Sequence, residues 1–166
     1  MNMKQATLCL LIRENGKEKE LLLAMKKRGF GVNRWNGVGG KFNPEQGDKT
    51  IEDTAIRETE EELGVKPKEM EKVAVFNFYY PYLSEEDKKN WQVHIFLAKN
   101  WEGEPVETEE MAPRWFKESE IPFNEMWSDD SIWLPKVLSG KKLMGDFFFK
   151  EGDLIAKHDI KTVKEL

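Results

Sequence analysis

Residues 57–62, Arg57-Glu58-Thr59-Glu60-Glu61-Glu62, carry five charged side chains in six positions and lead into Leu63, Gly64 and Val65. On a helix, Glu58, Glu61 and Glu62 stand at i, i+3 and i+4 and share one face. Like charges at that spacing repel by roughly 0.2–0.5 kcal/mol per pair, so the stripe either stays in water or takes a cation. Three carboxylates on a rigid element suit a hard divalent metal such as Mg²⁺. A solvated acidic face is the alternative. Upstream, Gly37-Val38-Gly39-Gly40-Lys41 supplies glycines that let backbone approach a metal or a phosphate. A second acidic pair, Asp129 and Asp130, lies beside Trp127. If the two share a partly buried pocket they resist ionising together, and a pair holding one proton both donates and accepts. Helix capping is the alternative for either one.

These residues need a frame. Residues 7–12 and 20–27 read as strands, with Asn15-Gly16 between them as a hairpin turn. The acidic helix is predicted over 50–63. Thr50 with Asp53 three residues on resembles a capping box, and Gly64 suits the C-cap. Ile51, Ala55, Ile56 and Leu63 form its apolar stripe, with Thr59 on the same side. Residues 73–79 and 91–98 read as strands separated by the charged loop 84–90, and Trp115-Phe116 after Pro113 as a short strand. A second helix is predicted over 131–138, with Ser128, Asp129 or Asp130 as N-cap, and Pro135 keeps it short. Residues 145–150 and 154–159 form a last hairpin around Glu151-Gly152-Asp153. No linker, repeat or low-complexity tract interrupts 1–166, so one α+β domain is expected.

Composition narrows the function classes. At 166 residues, 34% charged and 39% apolar, the chain is long enough for a real core and is neither a disordered nor a membrane composition. No apolar run approaches the ~20 residues of a membrane span, and 7–12 is too short for a signal-peptide core. The single cysteine, Cys9, sits in an apolar run and suits a buried thiol in a reducing, cytoplasmic setting. A net charge of −5 argues against polymeric nucleic acid as partner. It leaves a nucleotide open, because Mg²⁺ bridges carboxylates and phosphates.

Arg57, Glu58, Glu61, Glu62, Gly64 and Val65 resemble the second half of the Nudix hydrolase signature, Arg-Glu-apolar-x-Glu-Glu-x-Gly-apolar. The first half departs from it. Gly40 lies three residues farther from Arg57 than the signature asks, and the signature's first Glu falls on Lys49, with Asp48 next to it. Thr59 stands where an apolar residue is usual. These departures bear on rate and metal affinity more than on fold. Three longer strings, 26–31, 34–41 and 121–133, resemble the subgroup of that family that hydrolyses oxidised purine nucleoside triphosphates.

The resemblance implies a Nudix-type α/β/α sandwich with a mixed β-sheet and a catalytic loop-helix-loop. It implies that Glu58, Glu61 and Glu62 hold Mg²⁺ (or Mn²⁺), with a carbonyl from Gly39 and a further acid in Glu110. Arg57 would aim a glutamate by an ion pair, and Lys41 would contact phosphate. Asn36 would read the purine from the side opposite Asp129 and Asp130, and Trp127 would stack on its face. Phe30, Phe76, Phe78, Met111 and Trp133 would form apolar walls, with Thr7 also in the pocket. Each has a plainer alternative: a turn for Asn36, a surface site for Lys41, a solvated loop for Glu110, core packing for the apolar residues. Trp91, Trp101, His94 and His158 receive no catalytic role. The implied reaction is hydrolysis of an oxidised purine nucleoside triphosphate (8-oxo-dGTP, with 2-oxo-dATP) to monophosphate and pyrophosphate by a cytoplasmic monomer. Another nucleotide substrate, such as a methylated purine nucleotide or a diadenosine polyphosphate, is one alternative. A nucleotide-binding module with little turnover, motivated by Lys49 and the stretched loop before the helix, is the other.

Overall fold

The computed structural model describes residues 3–87 and 90–166, so residues 88 and 89 of the charged loop 84–90 lie outside the described residues. Strands β1 (Lys4–Asn15) and β2 (Glu18–Lys26) form the expected hairpin, with Gly16 in the left-handed region at φ 73°. The short β3 (Trp35–Asn36) follows, then α1 (Ile51–Leu63), β4 (Lys66–Tyr79), β5 (Trp91–Glu102) and β6 (Met111–Lys117). Helix α2 (Asp130–Leu138) and the hairpin β7 (Lys142–Lys150) and β8 (Leu154–Val163) complete the order. The strands make one mixed eight-stranded sheet in the order β3-β2-β1-β5-β4-β7-β8, with β6 paired to β2. The β1/β5 and β4/β7 pairs are parallel and the others antiparallel. Most strands run longer than their apolar runs suggested, because exposed Lys and Glu at the ends of β1, β4 and β5 still join the ladder.

Alternation along the strands splits the core into two layers. Leu10, Ile12, Leu21, Leu23, Phe76 and Ile95 meet Trp133, Leu134, Val137 and Leu138 of α2. Cys9, Leu11, Leu22, Ala24, Phe96 and Ala98 meet Ala55 and Leu63 of α1 on the other side. The sheet is therefore sandwiched between the helices, and each fully buried Leu contributes roughly 1.5–3 kcal/mol.

The ends of α1 follow the sequence. Thr50 accepts from the Asp53 amide, while the Asp53 carboxylate accepts from the amides of Thr50 and Lys49. Gly64 closes the helix at φ 73°. Thr59 is buried at the apolar position, and it satisfies its hydroxyl by donating to the Ala55 carbonyl at 2.7 Å. The segment carrying Gly39 runs antiparallel to β1. Thr7 N–H donates to the Gly40 carbonyl at 2.9 Å, and a Cβ on Gly39 would lie 1.8 Å from the Thr7 carbonyl oxygen. Only glycine allows that approach.

Candidate active site

The first cluster lies where the 37–41 segment meets the acidic face of α1. A Cβ on Gly40 would fall 2.3 Å from the Glu58 carboxyl carbon, so the bare glycine is what lets this carboxylate reach the loop. Glu58 is half-buried and its pKa is pushed up by burial, against the pull of Arg57. Glu62 is driven further, to about 8, first by burial and then by the charge of Glu58, with Lys26 opposing and Glu110 and Glu61 adding to the rise. Its Oε2 is buried without a hydrogen-bond partner among the described residues. Glu61 stands at the exposed edge, 3.4 Å from Arg57.

Arg57 is fixed by a residue that the spacing did not identify. Its Nε and Nη2 donate to Asp48 Oδ1 and Oδ2, both at 2.8 Å, and Nη1 donates to Glu58 Oε1 at 2.9 Å. Nη2 also reaches the Lys41 carbonyl at 3.2 Å. Asp48 is buried and accepts further from Thr54 Oγ1 and the Asn43 N–H, each at 2.9 Å. The Arg57 guanidinium holds this carboxylate well below the usual range. A bidentate pair of this kind orients the guanidinium as well as neutralising it. Glu110 is held by Arg28, whose Nη2 and Nε donate at 2.6 and 3.0 Å. Lys41 is exposed, and its Nζ lies 5.4 Å from the Trp91 ring.

The second cluster sits at the start of α2. Asp129 and Asp130 are 5% and 3% exposed. Asp129 occupies the N-cap position but makes no side-chain cap bond. Its Oδ2 instead accepts from Trp133 Nε1 at 2.8 Å, so Trp133 is a core residue whose polar end holds Asp129. Asp130 Oδ2 has no partner among the described residues. Burial raises both carboxyls, and the charge of Asp129 raises Asp130 further, so the two resist ionising together. Trp127 carries Phe30 at 5.1 Å between ring centroids. Phe30 itself is 74% exposed.

Residues 3–137 match the model of the NUDIX domain family. The chain belongs to the Nudix hydrolase family. It is 41% identical over 163 residues to a zebrafish (Danio rerio) oxidized purine nucleoside triphosphate hydrolase, covering 98% of this chain and 97% of that protein. The mouse (Mus musculus) protein of the same description is 43% identical over 148 residues, 87% of this chain and 88% of that one. Among solved structures, a MutT protein from Bacillus halodurans superposes with a TM-score of 0.76 at 22% identity, covering 96% of this chain and 98% of that chain. The Nudix domain of Shewanella oneidensis NrtR does so at 0.62 and 14% identity, over 84% and 88%.

Nudix hydrolases generally use a divalent metal. The residues present fit one. The donors are hard oxygens, a buried Glu62 oxygen lacks a partner, and Glu58 is brought against bare glycine backbone. Among the described residues, no three acidic groups form a ready-made cage. Arg57 engages Glu58 and Glu61, and Arg28 engages Glu110. The arrangement suits a cation such as Mg²⁺, which takes few carboxylates and keeps several waters.

Arg57 is supported by Asp48, next to the position of the signature's first Glu, and the backbone N–H of Lys49 donates to Asp53. Met111 is 5% exposed in the α1-side layer with Leu22 and Ala24, whereas Trp133 and Phe76 lie in the α2-side layer. Phe76 is fully buried among Phe147 and Trp133, and Phe78 on that same face is half-buried. Asn36 uses its Oδ1 to accept from Gly37 N–H at 2.9 Å, as a turn residue does, which leaves its amide N–H groups for other partners. Thr7 is buried with its hydroxyl unpartnered among the described residues. His94 Nε2 meets Gln5 Oε1 at 2.7 Å, and burial, then Lys72, lowers its pKa to about 4. No described helix is long and apolar enough to cross a membrane.

Proposed function

We propose that this chain is a single Nudix domain over 1–166, a monomeric cytoplasmic enzyme. It hydrolyses oxidised purine nucleoside triphosphates, 8-oxo-dGTP with 2-oxo-dATP, to monophosphate and pyrophosphate, and so cleanses the nucleotide pool. The observation that carries the reading is the buried pair Asp129 and Asp130 beside Trp127, two adjacent carboxyls that would share a proton, the first of which makes no helix-capping bond with its side chain. Such a pair presents an acceptor and a donor side by side, the pattern needed to read a purine edge. Buried polar groups discriminate strongly, because a base lacking the matching pattern leaves them unpaired. The descriptions of the zebrafish and mouse relatives support the same substrate class.

Glu58, Glu61, Glu62 and the Gly39 carbonyl would hold Mg²⁺, or Mn²⁺, with Glu110 able to join once released from Arg28. The metal would supply charge neutralisation on the phosphates and a more acidic bound water. Arg57, braced by Asp48, keeps Glu58 aimed at the loop. Glu62, a carboxylate of that cluster, would be the candidate to take a proton from an attacking water. Lys41 is placed on the same segment as Gly39 and Gly40 to meet phosphate. Asn36, with free amide N–H groups, and Trp127 complete the base site. The binding-module alternative rested on Lys49 and the stretched loop, and the Asp48–Arg57 pair weighs against it.

Asp129→Asn should reduce the preference for 8-oxo-dGTP over dGTP by about 10- to 100-fold, the worth of one good bidentate base contact. The check is kcat/KM for both substrates in the wild type and the variant. An undiminished preference would move base recognition away from this pair.

A further inference from the structure

We propose that Arg34, Asp153 and Ser128 form a clamp that sets the Trp127 indole as the purine platform, which makes the β7/β8 turn part of base recognition. The clamp rests on the reading of Trp127 as that platform. Three segments distant in sequence converge there. The Arg34 guanidinium carbon lies 3.9 Å from the centre of the Trp127 ring. The same guanidinium pairs with Asp153 through Nη2 and Oδ2 at 3.3 Å. Ser128, next to Trp127, donates its hydroxyl to the Asp153 carbonyl at 2.9 Å. Asp153 thus holds the platform twice, once by its carboxylate through Arg34 and once by its backbone through Ser128.

The backbone on both sides is shaped for these contacts. Asp153 adopts φ 59°, uncommon for a residue other than glycine, directly after Gly152 at φ 83°. The loop carrying Arg34 is closed onto β2 by Asn33 N–H to the Lys26 carbonyl at 3.0 Å and Lys26 N–H to the Arg34 carbonyl at 3.3 Å. A Cβ on Gly31 in that loop would stand 3.4 Å from Trp127 Cζ2, so the loop backbone itself lies against the indole. Tyr80, just after β4, stacks on Phe149 of β7 at 5.0 Å and 9°. Burial first, then the charges of Asp129 and Asp153, push its phenol pKa up.

The consequence is directional. A planar guanidinium packed on one face of the indole fixes the plane of the ring. The Arg34–Asp153 pair is half-exposed and adds little stability alone. Its effect is on the orientation of Trp127, and so on binding more than on the hydrolytic step.

The test uses Arg34→Ala, Arg34→Lys and Asp153→Asn in the full chain. Asn tolerates the left-handed conformation and keeps the carbonyl that Ser128 needs. Steady-state kinetics on 8-oxo-dGTP with Mg²⁺ are paired with calorimetric binding of 8-oxo-dGMP and with thermal melts. Arg34→Ala should raise KM and weaken monophosphate binding about tenfold, with kcat changed less than about twofold. Asp153→Asn should do the same by about threefold. Arg34→Lys, which keeps the charge but loses the plane, should stay near the Ala variant. Unchanged KM and binding in Arg34→Ala and Asp153→Asn would overturn the clamp, as would full recovery by Lys or a fall in kcat at constant KM. If Arg34→Ala melts below the assay temperature, Asp153→Asn decides. Wild-type enzyme that ignores the base sinks the platform and the clamp together. Wild-type enzyme that prefers 8-oxo-dGTP, with variants that bind as it does, sinks the clamp alone.

Discussion

Glu62→Gln is expected to lower turnover by about a hundredfold or more and, at the same time, to stabilise the metal-free protein at pH 8. Both effects act through the same carboxyl. The Glu62 carboxyl is buried against Glu58, with an unpartnered oxygen, and its pKa stands at about 8. An acid whose folded pKa lies above its unfolded value of about 4.3 binds its proton more tightly in the folded state. The stability it contributes is complete below pH ~4.3 and is lost as pH rises through about 8. Melting temperature without metal should therefore decline from pH 5 to pH 8.5 in the wild type, and Gln, a neutral isostere, should flatten that decline. Asp48 acts in the opposite sense. Its folded pKa is depressed, so its stabilisation is present above its unfolded value and is lost only in strong acid. A wild-type Tm that rises between pH 5 and pH 8.5, or a Gln variant with normal kcat, would contradict the role given to Glu62.

Asp48→Ala should produce the largest loss of stability, about 3 kcal/mol, which for a chain of this size is a drop of about 6–12 °C in Tm. Asp48 is fully enclosed, and its removal leaves the largely buried Arg57 guanidinium without its bidentate partner. Arg57 then loses its orientation toward Glu58, and turnover should fall by about 10- to 100-fold, as when the support of a metal ligand is removed. Lys49→Glu, which restores the signature's spacing, should change turnover by less than about twofold, because the anchor is already present. Comparing melts and kcat/KM of the two variants checks both statements. A Lys49→Glu enzyme many-fold faster than wild type, with Asp48→Ala near wild type, would reverse the assignment.

The parts of the fold written in local chemistry were legible in the sequence. The Thr50/Asp53 capping box, the Gly64 cap and the Asn15-Gly16 turn each depend on residues within a few positions of one another. The α1 stripe was legible too, since helical periodicity dictates which side is buried. Asp48 was not, because its role depends on the path of a loop three residues longer than the signature allows. That path runs through the 3₁₀ turn Pro44–Gln46, capped by Asn43, which turns the chain back so that Asp48 reaches Arg57. Counting residues cannot follow such a detour. Arg34 and Asp153 gave no sequence signal, since their contacts join segments about a hundred residues apart, and surface Arg and Asp are common everywhere.

The most direct test of the central claim is pyrophosphate release with Mg²⁺ from 8-oxo-dGTP and from dGTP at equal enzyme concentration. The Asp129/Asp130 pocket predicts a kcat/KM for 8-oxo-dGTP at least about tenfold above that for dGTP. Equal turnover of the two nucleotides, or none of either, would contradict it.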